Sequence, residues 1–305
     1  MTTVVFLLVP GVHLLDLAGP AQVFSTADRA GCDYRLRFVG ADGTVPTAQG
    51  LPVQVETELP ALSADDLVVV PGWVGDSLAT SPRLGRALAT ALVAHHRAGG
   101  TVASVCAGAE ALGQAGLLDG RRCTTHHEHQ DELARRYPLA TVVRDVLFTE
   151  DDRVVTSAGI ASGIDLALHL LAARHGPATA ARVARTMVVY TRRNGDSAQH
   201  SAMLRHRTHL SDQVHRAQEI IDARFATPLR LGDLASSVGV SERTLTRRFV
   251  HATGLTPLRY QQALRVERAE ALIAQGAGVE AAARAVGFED ARMLRRLRAL
   301  RAAVR

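Results

Sequence analysis

The stretch Thr101-Val102-Ala103-Ser104-Val105-Cys106-Ala107-Gly108-Ala109 carries an apolar, strand-like run directly into a potential nucleophile, with small residues following at once. That order predicts a thiol on a sharp strand-to-helix turn, where the backbone donors and dipole of a helix N-terminus favour the thiolate. Two further residues of chemical type accompany it: Asp16, in Leu15-Asp16-Leu17-Ala18-Gly19-Pro20, and His126, in Thr124-Thr125-His126. A hydrolase built on Cys106 needs a base to take the thiol proton and donors to hold an oxyanion. A carboxylate beside the thiol works the other way and raises its pKa, unless it is protonated or serves as a hydrogen-bond partner. Plainer readings stand beside these: Cys106 as an idle thiol lining a pocket, and Asp16 as the cap of a helix beginning near Leu17. His126-His127-Glu128-His129 has the composition of a metal cluster. Adjacent histidines on a helix diverge by about 100°, so only His126 and His129 share a face, and neither a metal nor another cofactor is expected. Thr125 with Glu128 reads as a capping box opening that helix.

A second set of residues suits recognition. Residues 231–249 read as two short helices broken by Gly239, with Ala235 small where the helices cross and Leu234, Val240, Leu245 and Phe249 as the shared apolar seam. Ser241 caps the second helix, which starts at Glu242 and turns Arg243, Thr246 and Arg247 outward, as a major groove requires. An ordinary helical hairpin with a solvated charged face is the competing reading. Residues 279–297 repeat the layout, with Ala283 and Gly287 standing 48 residues after Ala235 and Gly239, and with Arg295 and Arg296 as the expected DNA contacts. Between the copies, Pro257 opens one long helix that runs to Gln275 and Gly276.

These residues need two scaffolds. Val4–Val9, Leu67–Val70 and Thr101–Val105 are short apolar runs, while Ala18–Ala30, Pro82–Ala98, Ala107–Ala115, Ile160–Arg174 and Ala178–Val189 have helical composition. Such alternation predicts a flavodoxin-like α/β sandwich, a largely parallel sheet with helices on both faces, followed by an all-α domain. From Tyr190 to Ser211 the apolar pattern fails, with Arg192-Arg193-Asn194-Gly195-Asp196-Ser197 at the start. The expected boundaries are 1–190 for the first domain, 191–212 for a linker and 213–305 for the second domain.

Charge follows the same division. From Gln213 onward there are 16 arginines against 9 acidic residues, a net of +7, which leaves −2 for the preceding residues out of a total of +5. That asymmetry suits a domain that neutralises phosphates. There is no lysine, so the use of arginine carries no information at any one position. No apolar run is long enough for a membrane span, and the first residues read as a strand and not as a signal peptide. Three cysteines, Cys32, Cys106 and Cys123, make no disulfide framework and imply a reducing cytoplasm.

Two helix-turn-helix units on one linking helix resemble the AraC/XylS family of transcription regulators, and Gly254-Leu255-Thr256-Pro257-Leu258-Arg259-Tyr260 matches the motif that follows the first unit there. A second copy of that motif is expected after the second unit. The sequence instead reads Leu294-Arg295-Arg296-Leu297-Arg298-Ala299-Leu300-Arg301-Ala302-Ala303-Val304-Arg305, so the second unit is expected to contribute less to sequence choice. The segment around Cys106, with Asp16 and His126, resembles the class I glutamine amidotransferase-like superfamily, in the PfpI-type branch of intracellular cysteine peptidases and isonitrile hydratases. The resemblance places Cys106 at the elbow nucleophile, Asp16 at the acidic residue facing it and His126 at the histidine beyond the next strand. Ala107 departs from the pattern, since hydratases of the branch carry a hydroxyl residue there and its peptidases a histidine. It implies a cytoplasmic, homodimeric, non-enzymatic regulator of DNA whose first domain senses a small metabolite at Asp16, Cys106, Ala107 and His126. The alternatives are a cysteine-dependent hydrolase or isonitrile hydratase with an accessory DNA-binding tail, and a redox sensor at Cys106.

Overall fold

The computed structural model describes residues 1–305 other than 76, 81, 83, 190–192, 194, 196–198, 200, 202–205, 208, 275 and 303–305. Arg192, Asn194, Asp196 and Ser197 of the expected linker, the end of the linking helix at Gln275, and Val304 and Arg305 lie outside the described residues. The chain divides into two compact units, Met1–Gln199 and His200–Arg305.

The strands of the first unit are β1 (Thr2–Leu7), β2 (Tyr34–Val39), β3 (Thr44–Val45), β4 (Val53–Gln54), β5 (Leu67–Val70), β6 (Thr101–Val105), β7 (Arg122–Cys123), β8 (Thr141–Val142), β9 (Phe148–Asp151) and β10 (Val154–Ser157). Six form one sheet in the order β2-β1-β5-β6-β10-β9, parallel except for the edge pair β9 and β10. β1, β5 and β6 are apolar at consecutive positions because both faces of the sheet are covered. Helices α1 (Leu14–Ala27), α5 (Ser162–His175) and α6 (Pro177–Thr186) pack Val23, Phe24, Leu168 and Val183 against Val4, Phe6 and Val69. On the other face α2 (Arg86–Arg97), α3 (Ala109–Gln114) and α4 (Gln130–Arg136) pack Leu92, Leu112 and Leu133 against Val5, Val68 and Val102. Order reverses beside β1, so the crevice at the carboxyl ends of β1, β5 and β6 is where a ligand site is expected.

The second unit is helical: α7 (Asp212–Ala223), α8 (Leu231–Ser237), α9 (Glu242–Thr253), α10 (Pro257–Ala274), α11 (Val279–Ala285) and α12 (Ala291–Ala302). α8 with α9, and α11 with α12, are the two helix-turn-helix units, and α10 joins them. The first unit's core is Val214, Ile221, Leu234, Leu245, Phe249 and Tyr260, with the Phe249 and Tyr260 rings 5.6 Å apart edge to face. The second relies on smaller residues, Ala269, Ala282, Ala283 and Ala291, with Val286, Phe288 and Leu294. Both turns hold a glycine at positive φ, Gly239 at 72° and Gly287 at 86°. Gly287 also packs onto Ala226, whose carbonyl oxygen would lie 1.9 Å from a Cβ there. Arg265 of α10 donates to the carbonyls of Phe225, Thr227 and Gly287 and so ties the exit of α7 to the second turn.

Candidate functional site

β6 ends at Val105, and Cys106 takes φ +56°, a conformation that residues with a Cβ rarely adopt. A short turn over Cys106–Gly108 leads into α3, the strand-to-helix elbow expected from the sequence. The elbow is held by close packing. A Cβ on Gly72, after β5, would lie 2.7 Å from Cys106 Cβ and 2.5 Å from an Asp16 carboxyl oxygen. A Cβ on Gly159, after β10, would lie 2.2 Å from Cys106 Cβ. Below the elbow, the Thr125 hydroxyl donates to the Cys106 carbonyl at 2.8 Å.

Asp16 and Cys106 therefore share one enclosed space. Asp16 sits in the first turn of α1 and is fully buried, with neither carboxyl oxygen in a well-formed hydrogen bond. Loss of water pushes its pKa up to about 7, and the nearby Gly72 N–H and Cys106 thiol offset only part of that rise. The Cys106 thiol is 6% exposed, and its pKa is raised first by burial and then by the Asp16 charge, against a smaller lowering by the Ala107 N–H. The helix N-terminus does not make the thiolate here. Desolvation and a neighbouring carboxyl outweigh one backbone donor, against the direction expected from the sequence.

Two other local expectations are corrected. α1 begins at Leu14 with His13 at its cap position, so Asp16 does not cap a helix near Leu17. The Thr125–Glu128 capping box does not form, because the Thr125 hydroxyl is spent on the elbow and His127–His129 is a single tight turn before α4. His126 is half-buried, with Nδ1 3.5 Å from the Glu128 carboxylate. Its ring lies 4.2 Å from that of His127 and 6.0 Å from that of His129. Among the described residues, no group of three or more His, Cys, Asp or Glu side chains is arranged to hold a metal ion.

Two side chains near the end of this unit fold back onto it, one of them at Thr125. The Gln199 side chain donates to the carbonyls of Thr125, at 3.0 Å, and Val146, at 3.1 Å. Arg193 clasps the buried Asp165 carboxylate through its guanidinium, at 2.6 Å, and its backbone N–H. Gly72, Gly159, Thr125 and Gln199 were not singled out from the sequence as site residues. Glycines directly after strand ends, in Pro71-Gly72 and Ala158-Gly159, were the available signal for two of them.

In the second unit Ser241 caps α9, its hydroxyl accepting from the Thr244 N–H at 3.3 Å. Leu245 and Phe249 are buried, Glu242, Arg243 and Arg247 are exposed, and Thr246 is half-buried. On α12, Arg295 lies 3.3 Å from the Glu280 carboxylate and Arg296 is exposed.

A doubly wound α/β unit with a cysteine elbow, followed by paired helix-turn-helix units, defines a class of two-part DNA-binding proteins. Residues 2–173 match the DJ-1/PfpI family and residues 234–301 a helix-turn-helix domain, and the chain belongs to that family, in the branch carrying an AraC-type domain. It is similar to the HTH-type transcriptional regulator CdhR of Pseudomonas aeruginosa, 31% identical over 93% of this chain and 84% of that one. It is also similar to an isonitrile hydratase of Pseudomonas putida, 34% identical over 54% of this chain and 68% of that protein. An AraC family transcriptional regulator from Pseudomonas putida, known by crystal structure, matches 61% of this chain and all of its own at 25% identity and a TM-score of 0.53. Among the described residues, no helix is long and apolar enough to cross a membrane.

Proposed function

We infer that this protein is a cytoplasmic transcription regulator that reads DNA through α9 and senses a small metabolite at the Cys106 elbow. The observation that carries the reading is the capped α9 with Arg243 and Arg247 exposed on one face, in a chain similar along most of its length to regulators. Ser241, Glu242, Thr246 and the arginines form the DNA-facing set, to which Arg295 and Arg296 of α12 are added. Asp16, Ala107, Cys106 and His126 line the ligand space. The ligand acts by binding two arrangements of the chain with different affinity. The functional domains are residues 1–190 and 213–305 with 191–212 between them, and the regulator works as a homodimer.

The thiol is not a catalyst in this reading, because burial and Asp16 keep it protonated and Ala107 supplies no polar side chain. The Cys106 conformation at φ +56° favours the second reading, a cysteine-dependent hydrolase or hydratase of small amides or isonitriles. One experiment separates them. Wild type and Cys106→Ser are compared for operator binding and for turnover of amides, esters and isonitriles. Retained operator binding in the variant, with no turnover in either protein, is expected. Cysteine-dependent turnover at about 1 s⁻¹ or more would establish the enzyme, and a wild type without sequence-specific DNA binding would remove the regulator.

A further inference from the structure

The two helix-turn-helix units keep a common register only as far as their turns. Ala235 and Ala283, and Gly239 and Gly287, are 48 residues apart. The next helices, starting at Glu242 and Ala291, are 49 apart, and so are their fully buried leucines, Leu245 and Leu294. The second turn holds one residue more, Phe288-Glu289-Asp290 against Val240-Ser241. Asp290 accepts from the Arg292 N–H at 2.8 Å, as the Ser241 hydroxyl does from the Thr244 N–H. In this register Arg243 and Arg247 correspond to Arg292 and Arg296, and Arg295 corresponds to Thr246.

Helix geometry and charge agree on that pairing. At about 100° per residue, Arg292 and Arg296 stand about 160° to either side of Leu294, pointing away from the core, while Arg295 lies on the flank at about 100°. Arg295 faces Glu280, which also accepts from the Ala291 N–H at 3.3 Å, and Arg298 lies 3.7 Å from Glu270. Arg243, Arg247, Arg292 and Arg296 are exposed, and none forms an ion pair within the described residues.

We propose that Arg292 and Arg296 are the base-reading pair of the second unit, matching Arg243 and Arg247 of the first, and that Arg295 with Glu280 is a positioning pair at the start of α12. The proposal rests on the DNA-binding function inferred above. Four residues of helix advance about 6 Å, close to two base steps of about 3.4 Å. Each arginine pair therefore reaches two guanines about two steps apart, through their O6 and N7 acceptors in the major groove.

The test selects duplexes from a random pool with the full chain and then measures Arg292→Ala, Arg296→Ala, Arg292→Lys and Arg295→Ala on the selected site and its single-base variants. Two guanine-bearing segments are expected. Arg292→Ala and Arg296→Ala should each weaken binding about 10-fold or more and erase the preference at one guanine of the second segment. Arg292→Lys should keep the charge and the salt slope yet lose that preference, since an ammonium lacks the planar fork. Arg295→Ala, which removes a charge from the DNA-facing set on the flank of α12, should weaken binding alike on all sequences and leave every base preference in place. Uniform weakening on all sequences by Arg292→Ala and Arg296→Ala, or loss of a base preference in Arg295→Ala, overturns the pairing while leaving DNA binding itself standing. A wild type that selects no sequence overturns the regulator reading and this proposal together.

Discussion

Asp16 and Cys106 are held out of water, while Arg243 and Arg247 stand in water, neither in an ion pair among the described residues. The first arrangement makes charge expensive, so changes there act through stability and protonation. The second leaves charge available, so changes there act through affinity and salt. A mutation at the elbow should move melting curves, and one on α9 should move binding curves.

The largest expected effect tests the closeness of the elbow. Gly159→Ala places a Cβ 2.2 Å from Cys106 Cβ at a residue with φ +92°, and should lower stability by about 4 kcal/mol in urea melts. A loss below about 1 kcal/mol would mean that the elbow yields easily. Next in size is Asp16→Asn. Asp16 titrates near 3.8 in the unfolded chain and at about 7 in the folded one, so the folded chain holds the extra proton between these values. Its stabilising contribution is complete below pH 4 and is lost as pH rises through 7, by roughly 4 kcal/mol in all. The asparagine variant should lack that slope, and parallel stability curves for the two proteins from pH 4 to 8 would refute the burial argument.

On the exposed side, Arg247→Ala should cost about 1–3 kcal/mol of binding to the selected site and relax one base position. Its melting should stay within about 0.5 kcal/mol of wild type, and a larger shift would place Arg247 in the fold. The smallest effect is expected for Ser241→Ala, about 1 kcal/mol of stability from the lost cap. Thermal denaturation monitored by circular dichroism measures it, and an unchanged midpoint would show that the 3.3 Å cap bond contributes nothing.

Much of the fold was legible because it follows from apolar runs and caps. Leu67–Val70 and Thr101–Val105 are strands at the expected residues, and α9 and α10 start at Glu242 and Pro257 as their caps dictate. The edge of the sheet was not legible. β9 and β10 join through Asp152 and Arg153, both at positive φ, 46° and 59°, without the glycine or asparagine that marks such a turn. Arg121 and Arg153 instead hold the Asp152 carboxylate. β2 escaped notice because Arg35 and Arg37 interrupt its apolar residues. At the site, the pairing of Asp16 with Cys106 was readable through family resemblance, but the elevated thiol pKa depends on burial that no local pattern encodes. The 48-residue repeat concealed Arg292, because the extra residue in the second turn becomes visible only from which leucine is buried.

Thr125 occupies two positions at once: its hydroxyl holds the Cys106 carbonyl, and its own carbonyl is held by Gln199, the last residue of the first compact unit. The Cys106 elbow and the last residue of this body are thus two hydrogen bonds apart, with one residue between them. A lever that short needs no wave of repacking through the core. A shift of the elbow would therefore be felt at Gln199 without passing through the apolar core.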